Sequence, residues 1–84
     1  MIADICPNPF NPITTISYQL PGQSRVTLIV SDVLGREVAA LVKGIEEPGY
    51  KSVTFDASKL SSGVYYYRLQ AGSYIETKKL LLLR

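Results

Sequence analysis

Alternation of apolar and polar residues, interrupted at short intervals by glycine or proline, constrains the fold of this chain more than any other feature. Residues 14–20 carry Ile16, Tyr18 and Leu20 at every second position, with polar residues between them. A period of two places such residues on one face of a β-strand, so one face of each segment is expected to be buried. The same spacing recurs in the next segment, where the predicted inward residues are Val26, Leu28 and Val30.

Strands joined by turns account for nearly the whole chain, and no segment is long enough to favour a helix. Within the predicted strand over residues 36–42, residues 38–42 do not alternate, which predicts a bulge or burial of both sides. A helix is the competing prediction over residues 36–42, but seven residues is short for a helix. Residues 1–12 hold three of the five prolines and form an extended lead-in, with the sandwich over 13–84. We predict six strands, over 14–20, 25–31, 36–42, 50–55, 64–70 and 74–83, and residues near Ile2 to Ile5 can add a seventh.

The predicted turns include Asp32 to Gly35, the polar loop Lys43 to Gly49, and a longer turn over residues 56–63 with one helical turn at most. Tyr65 follows the last of these. It either donates its hydroxyl to the backbone of that turn, as in a tyrosine corner, or is simply a core aromatic residue. The architecture is an all-β, immunoglobulin-like antiparallel sandwich. Its predicted core is Leu28, Val30, Val53, Phe55, Tyr65, Tyr67 and Leu69.

The residue types needed for common catalytic and metal sites are missing. There is no histidine, so neither a Ser-His-Asp triad nor a Cys-His dyad can form, and the single Cys6 leaves no zinc set and no internal disulfide. Glu46-Glu47, an adjacent acidic pair, is expected to be solvated charge on a mobile loop. We therefore predict no enzymatic activity, no cofactor and no metal.

The charge distribution and the hydropathy argue against two further classes of protein, nucleic-acid binders and membrane-spanning proteins. Nine Lys and Arg and seven Asp and Glu are scattered singly along the chain, apart from the pairs Lys78-Lys79 and Glu46-Glu47, whereas a nucleic-acid binder concentrates its basic residues on one face. The longest apolar run, Leu80 to Leu83, is far too short to span a bilayer, and the first residues do not form a basic, apolar leader. Six tyrosines without tryptophan are better explained as core than as a sugar-stacking platform.

The chain resembles, from Pro7 to Arg84, the type A C-terminal sorting domain of the type IX secretion system. Four stretches carry the resemblance in order. They are Pro7-Asn8-Pro9-Phe10, the turn Asp32 to Gly35 with Arg36-Glu37-Val38, the unit Gly63-Val64-Tyr65, and Lys78-Lys79 with the leucines that follow. One departure is Cys6, where the family often has tyrosine. A related immunoglobulin-like module occurs in flagellar hook-capping proteins.

The resemblance implies a non-catalytic address at the C-terminus of a larger, covalently fused cargo protein. The outer-membrane secretion machine would recognise the domain, and a sortase-type protease would remove it, so the domain would pass through the periplasm to the cell surface or medium. The implied oligomeric state is a monomer or a weak strand-mediated dimer. The implied recognition residues are Lys78, Lys79, Leu80, Leu82 and Arg84, and the implied structural motif is Pro7, Asn8, Pro9, Phe10, Asp32, Gly35, Gly63 and Tyr65.

Alternatives remain at this point. The domain could be a passive immunoglobulin-like spacer or a carbohydrate-binding module of a multidomain secreted enzyme, or a flagellar cap module. Lys78-Lys79 could be an ordinary device against edge pairing, since lysines discourage strand addition. Leu80 to Leu83 are expected to be mainly a buried strand, and Phe10 to plug the open end of the sandwich.

Overall fold

Seven antiparallel strands make up the part of the chain that the computed structural model describes, residues 3–6 and 12–83. No helix occurs in these residues, so the strand prediction is confirmed and the competing helix at residues 36–42 does not form. The predicted seventh strand is present as the first one. The strands are β1 (Ala3–Cys6), β2 (Ile13–Leu20), β3 (Ser24–Asp32), β4 (Glu37–Glu46), β5 (Gly49–Asp56), β6 (Gly63–Ala71) and β7 (Tyr74–Leu82).

The strands form two sheets, one of three strands in the order β1-β2-β5 and one of four in the order β4-β3-β6-β7. The predicted sandwich is confirmed. Since β3 and β6 are the inner strands of the larger sheet, β4 and β7 are its two edges. The C-terminal strand thus pairs with β6 along one side and ends the sheet on the other.

The core lies between the sheets and consists of the inward residues of the alternating strands. Of the seven predicted core residues, six are buried; Val53 is only partly buried but packs against the core. A fully buried leucine or valine side chain contributes about 1.5–3 kcal/mol relative to exposure. The buried apolar residues are Ile16, Tyr18, Leu20, Val26, Leu28, Val30, Phe55, Ala57, Tyr65, Tyr67, Leu69, Ala71, Leu80 and Leu82.

Two register irregularities between β3 and β4 confirm the predicted bulge. Leu28 pairs with Val42 but Ile29 pairs with Ala40, which leaves Leu41 as the extra residue on β4. A second shift, between Val30 and Ser31, does the same at residue 38. A bulge places two residues of one strand opposite one of the other, which explains why an unalternating apolar run packs against the core from an edge strand.

The prediction of a polar loop from Lys43 to Gly49 is wrong. β4 continues to Glu46 because its residues keep pairing with the start of β3, as in Ser24 with Glu46, and only two residues separate β4 from β5. Glu46 is also not a solvated charge on a mobile loop. It accepts a hydrogen bond from the Tyr18 hydroxyl on the other sheet. Burial and the neighbouring carboxylate raise the pKa of Tyr18, so the phenol stays protonated and joins the two layers.

Candidate functional site

The C-terminal strand β7 holds four of the five predicted recognition residues, and its alternation divides them into two groups. Leu80 and Leu82 are fully buried, whereas Leu81 is 36% exposed and Leu83 is 47% exposed. The expectation that the four leucines are mainly buried is therefore only half right. Successive side chains of a strand point to opposite faces, so a continuous apolar run on an edge strand sends every second residue outward.

The two lysines also lie on opposite faces of the sheet. Lys78 shares the inward side with the buried leucines and is half-buried opposite Tyr67 on β6. Lys79 is exposed on the outer side, opposite Tyr66. A partner that approaches the outer side would therefore meet Lys79 and Leu81, and would not meet the side chains of the buried leucines.

Two groups of predicted residues cannot be assigned a place. Arg84, the last of the predicted recognition residues, lies outside the described residues, as does the whole Pro7-Asn8-Pro9-Phe10 stretch. The predicted plugging of the sandwich by Phe10 stays a prediction. The other structural-motif residues, Asp32, Gly35, Gly63 and Tyr65, are all described.

The turn from Asp32 to Gly35 is held by the Asp32 carboxylate. Asp32 Oδ1 accepts hydrogen bonds from the backbone amides of Leu34 and Arg36, each at 2.9 Å, and Oδ2 accepts one from Arg36 Nε at 2.9 Å. The Arg36 amide, above all, holds the pKa of Asp32 below its usual value. Gly35 has a φ of 82°, which glycine adopts without steric cost. An aspartate that accepts from the following backbone and a glycine with positive φ are the features that a four-residue turn of this composition favours, and both are present.

Of the two alternatives left open for Tyr65, the structure shows the tyrosine corner. Its hydroxyl donates to the carbonyl of Ser61 in the preceding turn at 2.7 Å, while its ring is 8% exposed in the core. Two residues earlier, Gly63 begins β6 with a φ of 151°, and nothing within 4 Å would meet an added Cβ. The need for glycine at this position is therefore a matter of backbone conformation and not of space.

Three of the four stretches that carry the resemblance meet at one end of the four-stranded sheet. Asp32 on β3 pairs with Tyr65 on β6, and Tyr65 pairs with Leu80 on β7. Gly63 likewise pairs with Leu82. Residues far apart in the sequence thus form one continuous row, in which the turn and the tyrosine corner fix the position of the C-terminal strand.

A crevice of about 230 Å³ opens between β4 and the turn after β5. Asp56 at its rim accepts a hydrogen bond from the Ser58 amide at 2.9 Å, which holds the pKa of the Asp56 carboxyl below its usual value. The Asp56 carboxylate and the Ser58 amide thus stabilise the turn after β5. The lining is Val38, Ala39, Phe55, Asp56, Ser58, Lys59 and Leu60.

Residues 3–6 and 12–83 contain neither a candidate metal centre nor a candidate membrane-spanning helix. No three or more His, Cys, Asp or Glu side chains there are grouped so that they could hold a metal ion. The same residues contain no helix of the length and hydropathy that crossing a bilayer requires.

The sequence pattern was interpreted without separating the exposed residues of β7 from the buried ones, because the two lysines and the four leucines were each treated as one group. Strict alternation outward from Leu80 and Leu82 would have assigned Lys79 and Leu81 to the solvent face. The pairing of Lys79 with Tyr66, which is 38% exposed, depends on the register between β6 and β7 and does not follow from alternation alone. The signal that could have identified Lys79 and Leu81 as exposed was their spacing of two residues along the strand.

Comparison with known proteins identifies the chain's relatives at the level of the family. No curated protein matches the chain significantly, and neither does any solved structure. Residues 4–83 match the family described as "Secretion system C-terminal sorting domain". This match spans nearly all of the chain, including the three stretches that meet beside β7. The chain therefore belongs to the family of C-terminal sorting domains of the type IX secretion system.

Proposed function

We propose that this domain is a non-catalytic sorting signal whose folded form is recognised by the outer-membrane secretion machine. The family match indicates a sorting signal of the type IX system. The observation that carries the finer proposal is the row Asp32–Tyr65–Leu80, which ties the family's characteristic stretches to the C-terminal strand. The signal is then a shape that exists only in the folded domain.

Different residues of β7 would have different roles in this recognition. Leu80 and Leu82 are fully buried, so they act by anchoring the strand and not by touching a partner. Lys79 and Leu81 are exposed and would make direct contact. Lys78 is half-buried, and its charged end can still reach solvent because the long lysine stem packs along apolar surface.

The route follows from this proposal. A cargo protein fused to the domain would cross the periplasm, the machine would recognise the domain, and the cargo would reach the cell surface or the medium. A sortase-type protease would then cut the cargo from the domain. The domain would thus be the substrate of that protease, and the domain itself would need no cofactor. The position of β7 at the edge of the sheet supports recognition by a protein, because edge strands are common sites of strand addition.

The test is export of a reporter fused to the domain in a host that has the machine. Truncation before Lys78 is a poor test by itself, since it also removes Leu80 and Leu82 from the core. The sharper variant is Lys79→Ala with Leu81→Ser, which changes only exposed side chains. Ser52→Ala with Thr54→Ala, on the exposed side of β5, is the matched control.

We expect the parent and control fusions to leave the cell and the Lys79→Ala, Leu81→Ser fusion to accumulate in the periplasm. The purified variant domain should stay folded, with its melting temperature lowered by no more than about 8 °C, the equivalent of about 1 kcal/mol. Periplasmic retention of the parent fusion would contradict the sorting role and favour the passive spacer. Equal export of all three fusions would contradict the role given to Lys79 and Leu81.

A further inference from the structure

The outer face of the four-stranded sheet has a composition unlike the rest of the molecule. It is formed by every second residue of β3, β4, β6 and β7, and the register aligns these residues in rows across the sheet. We call it the basic face. Its residues are Arg25, Thr27, Ile29, Ser31, Glu37, Ala40, Lys43, Ile45, Val64, Tyr66, Arg68, Gln70, Ile75, Thr77, Lys79 and Leu81.

Positive charge is concentrated on this face. It holds four of the nine basic residues of the chain, one on each strand, and one of the seven acidic residues, Glu37. Four minus one gives a charge of +3, whereas the remaining five basic and six acidic residues sum to −1. The four cations are exposed, and none of them forms a salt bridge with another described residue. They are Arg25, Lys43, Arg68 and Lys79.

The opposite outer face, on the three-stranded sheet, provides the contrast. Its described part presents hydroxyl and amide side chains, with Tyr50 and Ile13 toward the ends and a single charge at Asp56. No lysine or arginine lies on that side of β2 or β5. The cations are therefore not simply spread over the strands, and their clustering on one sheet calls for an explanation.

Apolar residues lie among the cations at the centre of the basic face. Tyr66 and Arg68 both lie on β6, Lys79 is directly opposite Tyr66, and Ile29 is directly opposite Arg68. Tyrosine and arginine are enriched at the energetic centres of protein–protein interfaces, where apolar contact surrounds a few charged groups. Four strands at about 4.8 Å spacing and about 30 Å in length cover roughly 570 Å². That area approaches the roughly 800 Å² that each partner contributes to an interface of standard size.

We propose that the basic face is a docking surface for an acidic protein segment with interspersed apolar residues. Acidic side chains of the partner would pair with Arg68 and Lys79, and its apolar residues would cover Tyr66 and Leu81. This inference deepens the proposed function, since it gives the chemistry of the surface that the secretion machine would offer. A protein is favoured over an anionic membrane because the most exposed apolar residues of the face do not form one apolar patch: Ile45, 63% exposed, and Ile75, 51% exposed, lie on the two opposite edge strands. Between these edges, β6 carries Tyr66 and Arg68, residue types enriched at protein–protein interfaces.

The test measures binding directly, so its outcome does not depend on export. The isotope-labelled domain is titrated with a short peptide of alternating glutamate and valine, with its lysine–valine counterpart, and with vesicles rich in anionic lipid. We expect amide shifts confined to the basic face with the acidic peptide alone, and weakening as salt is raised. Arg68→Gln with Lys79→Gln should weaken this binding by roughly tenfold.

Lys51→Gln with Lys59→Gln is the matched control, because it removes the same net charge from residues outside the basic face. Equal weakening by both pairs, shifts elsewhere on the domain, or binding to vesicles but not to the acidic peptide would overturn the proposal. The same two double variants, tested in the export assay, distinguish the sorting role of the domain from the docking role of the basic face. Normal export of the Arg68→Gln, Lys79→Gln fusion would leave the sorting role standing and remove the basic face from it.

Discussion

Leu80 and Leu81 are neighbours in the sequence, and the structure gives them opposite roles. Leu80 is fully buried, so Leu80→Ala removes three buried carbon groups at about 0.8 kcal/mol each, or about 2.4 kcal/mol, and leaves a cavity. The total expected cost is about 3–4 kcal/mol. Leu81 is 36% exposed on the outer face, so Leu81→Ala opens no enclosed cavity and should cost about 1 kcal/mol or less.

The loss at Leu80 is large for so small a domain. At about 0.05–0.15 kcal/mol per residue, the free energy of unfolding is about 4–13 kcal/mol. Urea unfolding of both variants with a common m-value gives the comparison, and the melting temperature of Leu80→Ala should fall by more than about 10 °C. Equal destabilisation by Leu80→Ala and Leu81→Ala would refute the alternation of β7 and with it the division of the strand into an anchoring and a contacting side.

The remaining predictions concern the core and its hydrogen bonds. Phe55→Ala should lower the free energy of unfolding by roughly 3–5 kcal/mol in urea, since Phe55 is 3% exposed; an unchanged midpoint would contradict its burial. Tyr65→Phe removes the hydrogen bond to the Ser61 carbonyl and should lower the free energy of unfolding by about 0.5–1.5 kcal/mol. An unchanged free energy of unfolding would mean that Tyr65 contributes only as a core aromatic residue. Because the pKa of Tyr18 is raised in the folded state, its contribution is complete below the unfolded value of 10.0 and declines as the pH rises beyond it. Tyr18→Phe, which cannot donate to Glu46, should show a smaller alkaline decline in unfolding free energy; identical pH profiles would count against the hydrogen bond.

The alternating strands were predictable because the burial of one face imposes a period of two on the sequence. Ile16, Leu28 and Leu69 follow that pattern, and all three are fully buried. The turn at Asp32 was predictable for a local reason, since an aspartate four residues before an amide can accept its hydrogen bond within one turn.

The pairing of distant residues could not be read in the same way. The extension of β4 to Glu46 depends on the backbone of β3, and the hydrogen bond from Tyr18 to Glu46 joins residues 28 positions apart on different sheets. Glu46 is a charged residue between Gly44 and Gly49, and glycines favour turns, so the local sequence indicates a loop. Only the packing of the two sheets makes it the end of a strand.

The candidate site was predictable as a segment but not as a surface. Lys78 and Lys79 were assigned together because they are adjacent, yet a strand sends them to opposite faces. The basic face was missed for a related reason: its four cations are 11 or more residues apart in the sequence, and the register of the sheet brings them to one side. Scattered charge in the sequence is therefore compatible with a charged surface in the fold.

The most direct test of the sorting role is the location of a reporter fused to this domain, in a host with the type IX machine and in the same host without it. Immunoblots of the periplasmic, cell-surface and medium fractions measure that location. We expect the reporter at the surface or in the medium only when both the domain and the machine are present, and in the periplasm otherwise. A reporter carrying the folded domain that stays in the periplasm of the competent host would contradict the sorting role.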